Sequence, residues 1–147
     1  MQTTRNDVKK YLLVLLAIPA IVYAGMLLFV FVFPASYGRC DHYNEKLNGV
    51  TVEYEGRPYT VNLCGTGGND NSNNDEIRLQ VFNENGDLLA LRHFVVNWNE
   101  NNFPRKIEYH PDRIIYYDGS LESDYKKAVS MPPTALDWVR ARVPFFD

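Results

Sequence analysis

From Tyr11 to Phe33 the chain runs for 23 residues without one charged side chain. No other feature restricts the fold so strongly. At 1.5 Å per residue the run covers more than the roughly 30 Å of a hydrocarbon core. It therefore predicts a single transmembrane helix over residues 11–33. A cleaved signal peptide carries a shorter apolar region, about 7–15 residues, and only Pro34-Ala35-Ser36 suggests a cleavage point. A lipid-attachment site at Cys40 would need small residues before it, where Arg39 places a charge.

Arg5, Lys9 and Lys10 precede the run, and Arg39 alone follows it closely. The positive-inside rule then puts the amino terminus in the cytoplasm and exports the rest. Tyr11 and Tyr37 fall where aromatic rings favour the interface, and Pro19 lies within the span. Ala20 and Ala24, with Gly25 beside them, form a small-residue pattern suited to close helix packing. The predicted organisation is a cytoplasmic stretch 1–10, an anchor 11–33, a polar stalk 34–48 and an exported domain 49–147.

Charge narrows the partners. The chain has 15 basic and 18 acidic side chains. Removing residues 1–33 takes away Arg5, Lys9, Lys10 and Asp7, which leaves 12 basic and 17 acidic, a net charge of −5. Such a body has no electrostatic footprint for nucleic acid. It would attract a basic protein partner.

Cys40 and Cys64 are the two cysteines. In an oxidising compartment a pair of thiols joins, so a Cys40–Cys64 disulfide is expected, closing a loop of about 25 residues. A redox motif needs closer spacing and a zinc site needs four ligands, whereas only His42 lies near either thiol.

After the stalk, residues alternate with period two. Val50, Val52 and Tyr54 share one face, the turn falls at Glu55-Gly56-Arg57-Pro58, and Tyr59, Val61 and Leu63 return. Ile77, Leu79 and Val81 resume the pattern, Asn85-Gly86 makes a hairpin turn, and Leu89, Leu91, His93 and Val95 alternate along a fourth strand. Ile107 with Tyr109, and Ile114 with Tyr116, suggest strands five and six around His110-Pro111-Asp112. In Ile114-Ile115-Tyr116-Tyr117 both parities are apolar, so either both faces are covered there, by the terminal helix on the favoured reading, or one face is a binding surface. Thr134 caps that helix, expected over 135–142, with Asp137 at its third position and Leu136, Trp138 and Val139 supplying the apolar side that packs on the sheet. The fold class is thus mainly β: one amino-terminal transmembrane helix, then an antiparallel β-meander with one carboxyl-terminal helix.

The sequence has no Gly-x-Ser-x-Gly, His-Glu-x-x-His, phosphate-binding Gly loop or closely spaced metal cysteines. His42, His93 and His110 lack acidic partners at a telling spacing, and no catalytic residue, metal or cofactor is expected. Asp70, Ser72, Asn74 and Glu76 recur at every second position, as calcium ligands can, but the sixth and twelfth places counted from Asp70 hold Asp75 and Val81 instead of Gly and Glu. The Asn-rich loop reads first as a solvated, mobile connection and second as a recognition loop for a protein partner, for which Asp70, Asp75, Glu76 and Glu100 are the candidate partner-binding residues.

The layout resembles that of membrane-anchored immunity proteins, which protect bacteria from periplasm-acting toxins such as those delivered by type VI secretion. The likeness runs from Arg5-Asn6-Asp7 through the apolar run to the two-cysteine β body; residues 131–138, Met-Pro-Pro-Thr-Ala-Leu-Asp-Trp, look like a family signature. The resemblance implies a bacterial inner-membrane protein with a periplasmic carboxyl-terminal domain that inhibits a basic secreted toxin by direct binding, through loops 70–75 and 99–102. Two other classes compete: a structural or assembly subunit of a cell-envelope complex, packing through Ala20, Ala24 and Gly25, and an enzyme whose site the sequence does not display.

Overall fold

The computed structural model describes residues 11, 15–26, 28, 36–67, 73–99, 106–121 and 125–143. The chain divides into two units, Met1–Ala35 and Ser36–Asp147.

In the first unit residues 15–26 are an unbroken helix, with Tyr11 and Leu28 also helical. Every described side chain in it is exposed, including Leu15, Ile18, Ile21 and Val22, and including the small residues Ala20, Ala24 and Gly25. The expected membrane span is not met: among the described residues no helix is long and apolar enough to cross a membrane. The described stretch that is unbroken, residues 15–26, rises about 18 Å, against roughly 30 Å of hydrocarbon. Single-pass placement in an inner membrane, with a periplasmic domain, is therefore not supported.

The second unit holds the β structure. Helix α1 (Cys40–Leu47) precedes β1 (Thr51–Tyr54), β2 (Arg57–Gly65), β3 (Asn74–Phe82) and β4 (Leu88–Asn97). Then come β5 (Glu108–His110), β6 (Arg113–Tyr117), β7 (Lys126–Ser130) and helix α2 (Ala135–Arg140). The strands form two antiparallel meanders, a four-stranded sheet in the order β1-β2-β3-β4 and a three-stranded sheet in the order β5-β6-β7. The β1–β2 turn is the two residues Glu55 (φ 52°) and Gly56 (φ 72°), the left-handed pair that matches strand twist in a tight hairpin. At the β3–β4 turn Asn83 Oδ1 accepts from the N–H groups of Asn85 (3.0 Å) and Asp87 (2.8 Å).

Alternation puts Tyr59, Val61 and Leu63 of β2 and Ile77, Leu79 and Val81 of β3 into the core. Ile114, Tyr116 and Val129 of the second sheet join the same cluster, and the rings of Phe94 and Tyr116 meet at 5.2 Å. Along β4 the buried parity is Ala90, Arg92, Phe94 and Val96, opposite to the apolar Leu89, Leu91 and Val95. The cause is Arg92. Its guanidinium forms a buried ion pair with Asp137 of α2 and donates to the Leu91 carbonyl at 2.7 Å.

That ion pair also turns α2 over. Thr134 caps the helix as expected: its hydroxyl donates to Asp137 Oδ2 (2.6 Å), its N–H donates to the same atom (2.9 Å), and it accepts the Asp137 N–H at 3.2 Å. Asp137, not the apolar side, faces β4, so Leu136 (56% exposed), Trp138 (46%) and Val139 (45%) point to solvent. The helix ends at Arg140, a half-turn earlier than the sequence suggests. Ile115 and Tyr117 of β6 are nonetheless buried on their own parity, while this helix packs chiefly on β4.

The stretch expected to be a polar stalk contains α1, whose Tyr43 and Leu47, one turn apart, are core residues. The helix lies along the edge of β2 beyond the reach of β1. There Val61 N–H donates to the Val50 carbonyl (3.0 Å), Leu63 N–H donates to Asn44 Oδ1 (2.7 Å), and Gly65 exchanges hydrogen bonds with Gly38 at 3.1 and 2.9 Å. Cys40 and Cys64 are joined in a disulfide that ties α1 to this edge.

Two predictions follow from this packing. The paired replacement Cys40→Ser with Cys64→Ser should lower unfolding free energy by about 3 kcal/mol, read as a lower denaturant midpoint; an unchanged midpoint would contradict it. Burial works against ionisation of Asp137, but the Thr134 hydroxyl and N–H and the Arg92 guanidinium outweigh it and hold the carboxyl below its ordinary value. With the folded value depressed, this stabilisation is fully present above about pH 4 and is lost as pH falls through the folded value. Asp137→Asn should cost about 3–5 kcal/mol near neutrality by leaving Arg92 buried and uncompensated, and should flatten the acid limb of the stability curve. Denaturant titrations of both proteins from neutral pH into acid would check this.

Candidate functional site at the rim of the four-stranded sheet

Antiparallel register decides where the polar connections emerge. Asn74 at the start of β3 pairs with Asn97 at the end of β4, and Trp98 N–H donates to the Asn73 carbonyl at 2.8 Å. The β2–β3 and β4–β5 connections, nominated separately from the sequence, therefore leave the sheet side by side at one rim.

The rim is locked from below by a buried carboxylate. Asp75, only 9% exposed, accepts at Oδ2 from the Tyr43 hydroxyl (2.8 Å) and from the Trp98 indole Nε1 (2.8 Å). The acceptor thus joins α1, β3 and the residue after β4. Gly65 permits the arrangement, since a Cβ there would stand 2.4 Å from the Tyr43 ring. Burial pushes the Tyr43 hydroxyl up to about 12, and the hydrogen bond to Asp75 and its negative charge act in the same direction.

On the outer face of the same strands a second group assembles. Glu76 is exposed and accepts from the Tyr37 hydroxyl at 2.6 Å. The Arg78 guanidinium lies 4.6 Å from the centre of the Tyr37 ring, and His93, in register with Arg78, brings its ring to 5.5 Å from the same tyrosine. Tyr37 is thus held by a carboxylate, a cation and an imidazole, a firm aromatic platform beside the rim.

The expected contact residues separate on this geometry. Glu76 stands at the surface as a contact residue must. Asp75 does not: its side chain is the internal anchor of the rim and has no face to offer a partner. Asp70 and Glu100 lie outside the described residues. Of the alternating set Asp70, Ser72, Asn74 and Glu76, only Asn74 and Glu76 lie among the described residues. Among the described residues no group of three His, Cys, Asp or Glu side chains could hold a metal. Of the histidines, His110 sits 3.3 Å from Glu108 on the surface, while His42 meets the edge of Tyr43.

Tyr37, Tyr43, Arg78 and Trp98 were not singled out as site residues by sequence reasoning. The available signal was the pair of tyrosines flanking Cys40, Tyr37 and Tyr43, and a tryptophan directly after a strand. Comparison with known proteins adds no assignment: no family model, curated protein or solved structure matches the chain.

Asp75→Asn should bring the Tyr43 titration down from about 12 but leave it above the ordinary tyrosine value, because burial remains when the charge is removed. Tyrosine-labelled NMR across the alkaline range would read this. A Tyr43 that titrates unchanged in the variant would contradict the contact.

Proposed function

We infer that this domain works by binding another protein, and that it inhibits a basic toxin by direct occlusion, in the manner of immunity proteins. One observation carries the reading. Two polar connections that are far apart in sequence share a single rim, and a buried carboxylate, an indole, a phenol and a disulfide fix its base. Pre-ordering the base of a recognition surface lowers the entropy lost on association. The net charge of −5 over residues 34–147 suits a basic partner, which acidic side chains steer into contact and which salt releases. Contact falls to Glu76 and to the connections that carry Asp70 and Glu100.

A second reading, a subunit of a larger assembly, draws on the exposed apolar side chains of the helix over residues 15–26, a surface that another chain would cover.

The full chain separates the two. The inhibitor reading expects a one-to-one complex with a basic secreted enzyme, loss of that enzyme's activity, and affinity that falls as salt rises from about 0.05 to about 0.5 M. Replacing Asp70, Glu76 and Glu100 together by their amides should weaken the complex at least tenfold, chiefly through a slower association rate. A partner that stays fully active when bound, or binding that is lost only when apolar residues in 15–26 are made polar, would overturn it.

A further inference from the structure

Each sheet has two edges, and three of the four are short or covered. Strand β1 has only four residues. On β4, Arg92 takes the Leu91 carbonyl, and Asp118 and Gly119 take the Val95 N–H and carbonyl. Ahead of β5, Ile107 donates its N–H to the Leu47 carbonyl (2.9 Å) and accepts from the Asn48 side chain (3.3 Å). Strand β7, at the other edge of the second sheet, has no such cover. Its pairing with β6 continues past both ends, where the Asp118 N–H donates to the Tyr125 carbonyl and the Met131 N–H to the Asp112 carbonyl, both at 2.8 Å. The odd-numbered residues therefore bond inward, and Lys126, Ala128 and Ser130 turn both N–H and C=O outward. Among the described residues these outward backbone groups have no hydrogen-bond partner, and all three side chains are exposed.

We propose that β7 is a dimerisation edge, at which two copies of this chain pair β7 against β7, antiparallel, about a two-fold axis at Ala128. Strand addition sets outward groups opposite outward groups, so only the even-numbered residues can exchange bonds across the axis. A register centred on Ala128 meets that condition along the whole strand. Lys126 then faces the partner's Ser130, Lys127 faces the partner's Val129, and Ala128 faces its own counterpart. Every outward group of β7 finds a partner, and no lysine stands opposite a lysine. Centring on Lys126 or Lys127 would set that residue against itself, a like-charge pair that costs stability, and centring on Val129 would leave Lys126 without a bonded partner. Lysines on an edge strand guard it against indiscriminate pairing; placed as they are here, they select one register. The contact runs through backbone groups and leaves the interactions of the lysine side chains in place. Because the same strand serves both copies, the association closes at two and joins the two three-stranded sheets into one.

Ala128→Lys tests the axis, since it sets two like charges directly opposite while its exposed side chain leaves the monomer unstrained. The added positive charge moves the net charge of −3 towards zero, so general repulsion changes in the opposite sense. Sedimentation equilibrium of the full chain, in a mild detergent that covers the apolar side chains of residues 15–26, should show a monomer–dimer equilibrium that Ala128→Lys weakens at least about fivefold. Mixing Ala128→Lys one to one with Ala128→Asp should restore the dimer, with mixed pairs favoured over either like pair; two misfolded variants could not rescue each other. A chain that stays monomeric throughout, which would leave the edge to a strand of another protein, overturns the dimer. So does association that Ala128→Lys leaves unchanged, or a mixture that recovers nothing.

Discussion

A four-stranded open sheet leaves rows of backbone amides and carbonyls along its edges, and each buried one must find a partner. Here that requirement organises the rest of the domain. Strand β1 is only four residues long and pairs with β2 no further than Thr60. The remaining amides of β2 are taken by the Val50 carbonyl, the Asn44 side chain and the Gly38 backbone. At the other edge, Val95 of β4 receives Asp118 on its N–H and the Gly119 N–H on its carbonyl (2.7 Å). Helix α1, the disulfide and the start of the β6–β7 connection each sit where an edge needs closing.

Two buried carboxylates then set geometry inside that frame. Asp75 collects a phenol and an indole, and Asp137 collects a guanidinium and a helix cap. Apolar residues of similar volume would pack at such positions at little or no cost, so these pairs are better understood as fixing orientation than as adding net stability. Asp75 holds the rim in one arrangement. Asp137 chooses which side of α2 meets the sheet, and in doing so leaves Trp138 in solvent.

Much of the sheet was legible because its signals are local. Ile77, Leu79 and Val81 alternate cleanly, Glu55-Gly56 and Asn85-Gly86 punctuate the hairpins, and Thr134 with Asp137 spells a capping box. The elements that escaped owe their place to tertiary contacts. Helix α1 announces itself only through Tyr43 and Leu47, with Arg39 in a left-handed conformation before it and no side-chain cap. Strand β7, Lys-Lys-Ala-Val-Ser, has a single fully buried side chain, Val129. Hydrophobic pattern placed Leu91 and not Arg92 inside, because the partner that makes Arg92 burial tolerable is 45 residues away. The uncharged run over residues 11–33 read as a membrane span by length, yet among the described residues no helix is long and apolar enough to cross a membrane. At the rim, Glu76 was legible as a surface charge, whereas Asp75 next to it looked identical in sequence and differs only through strand alternation.

Edge closure is measured most directly by amide hydrogen exchange in the native chain. The N–H groups of Val61, Leu63 and Gly65 on β2, and of Val95 on β4, should be protected to the same degree as the interior amides of β3, opening only with the global unfolding of the domain. Exchange of these four at the rate of exposed loop amides, with β3 still protected, would mean that the edges are open and would contradict the account.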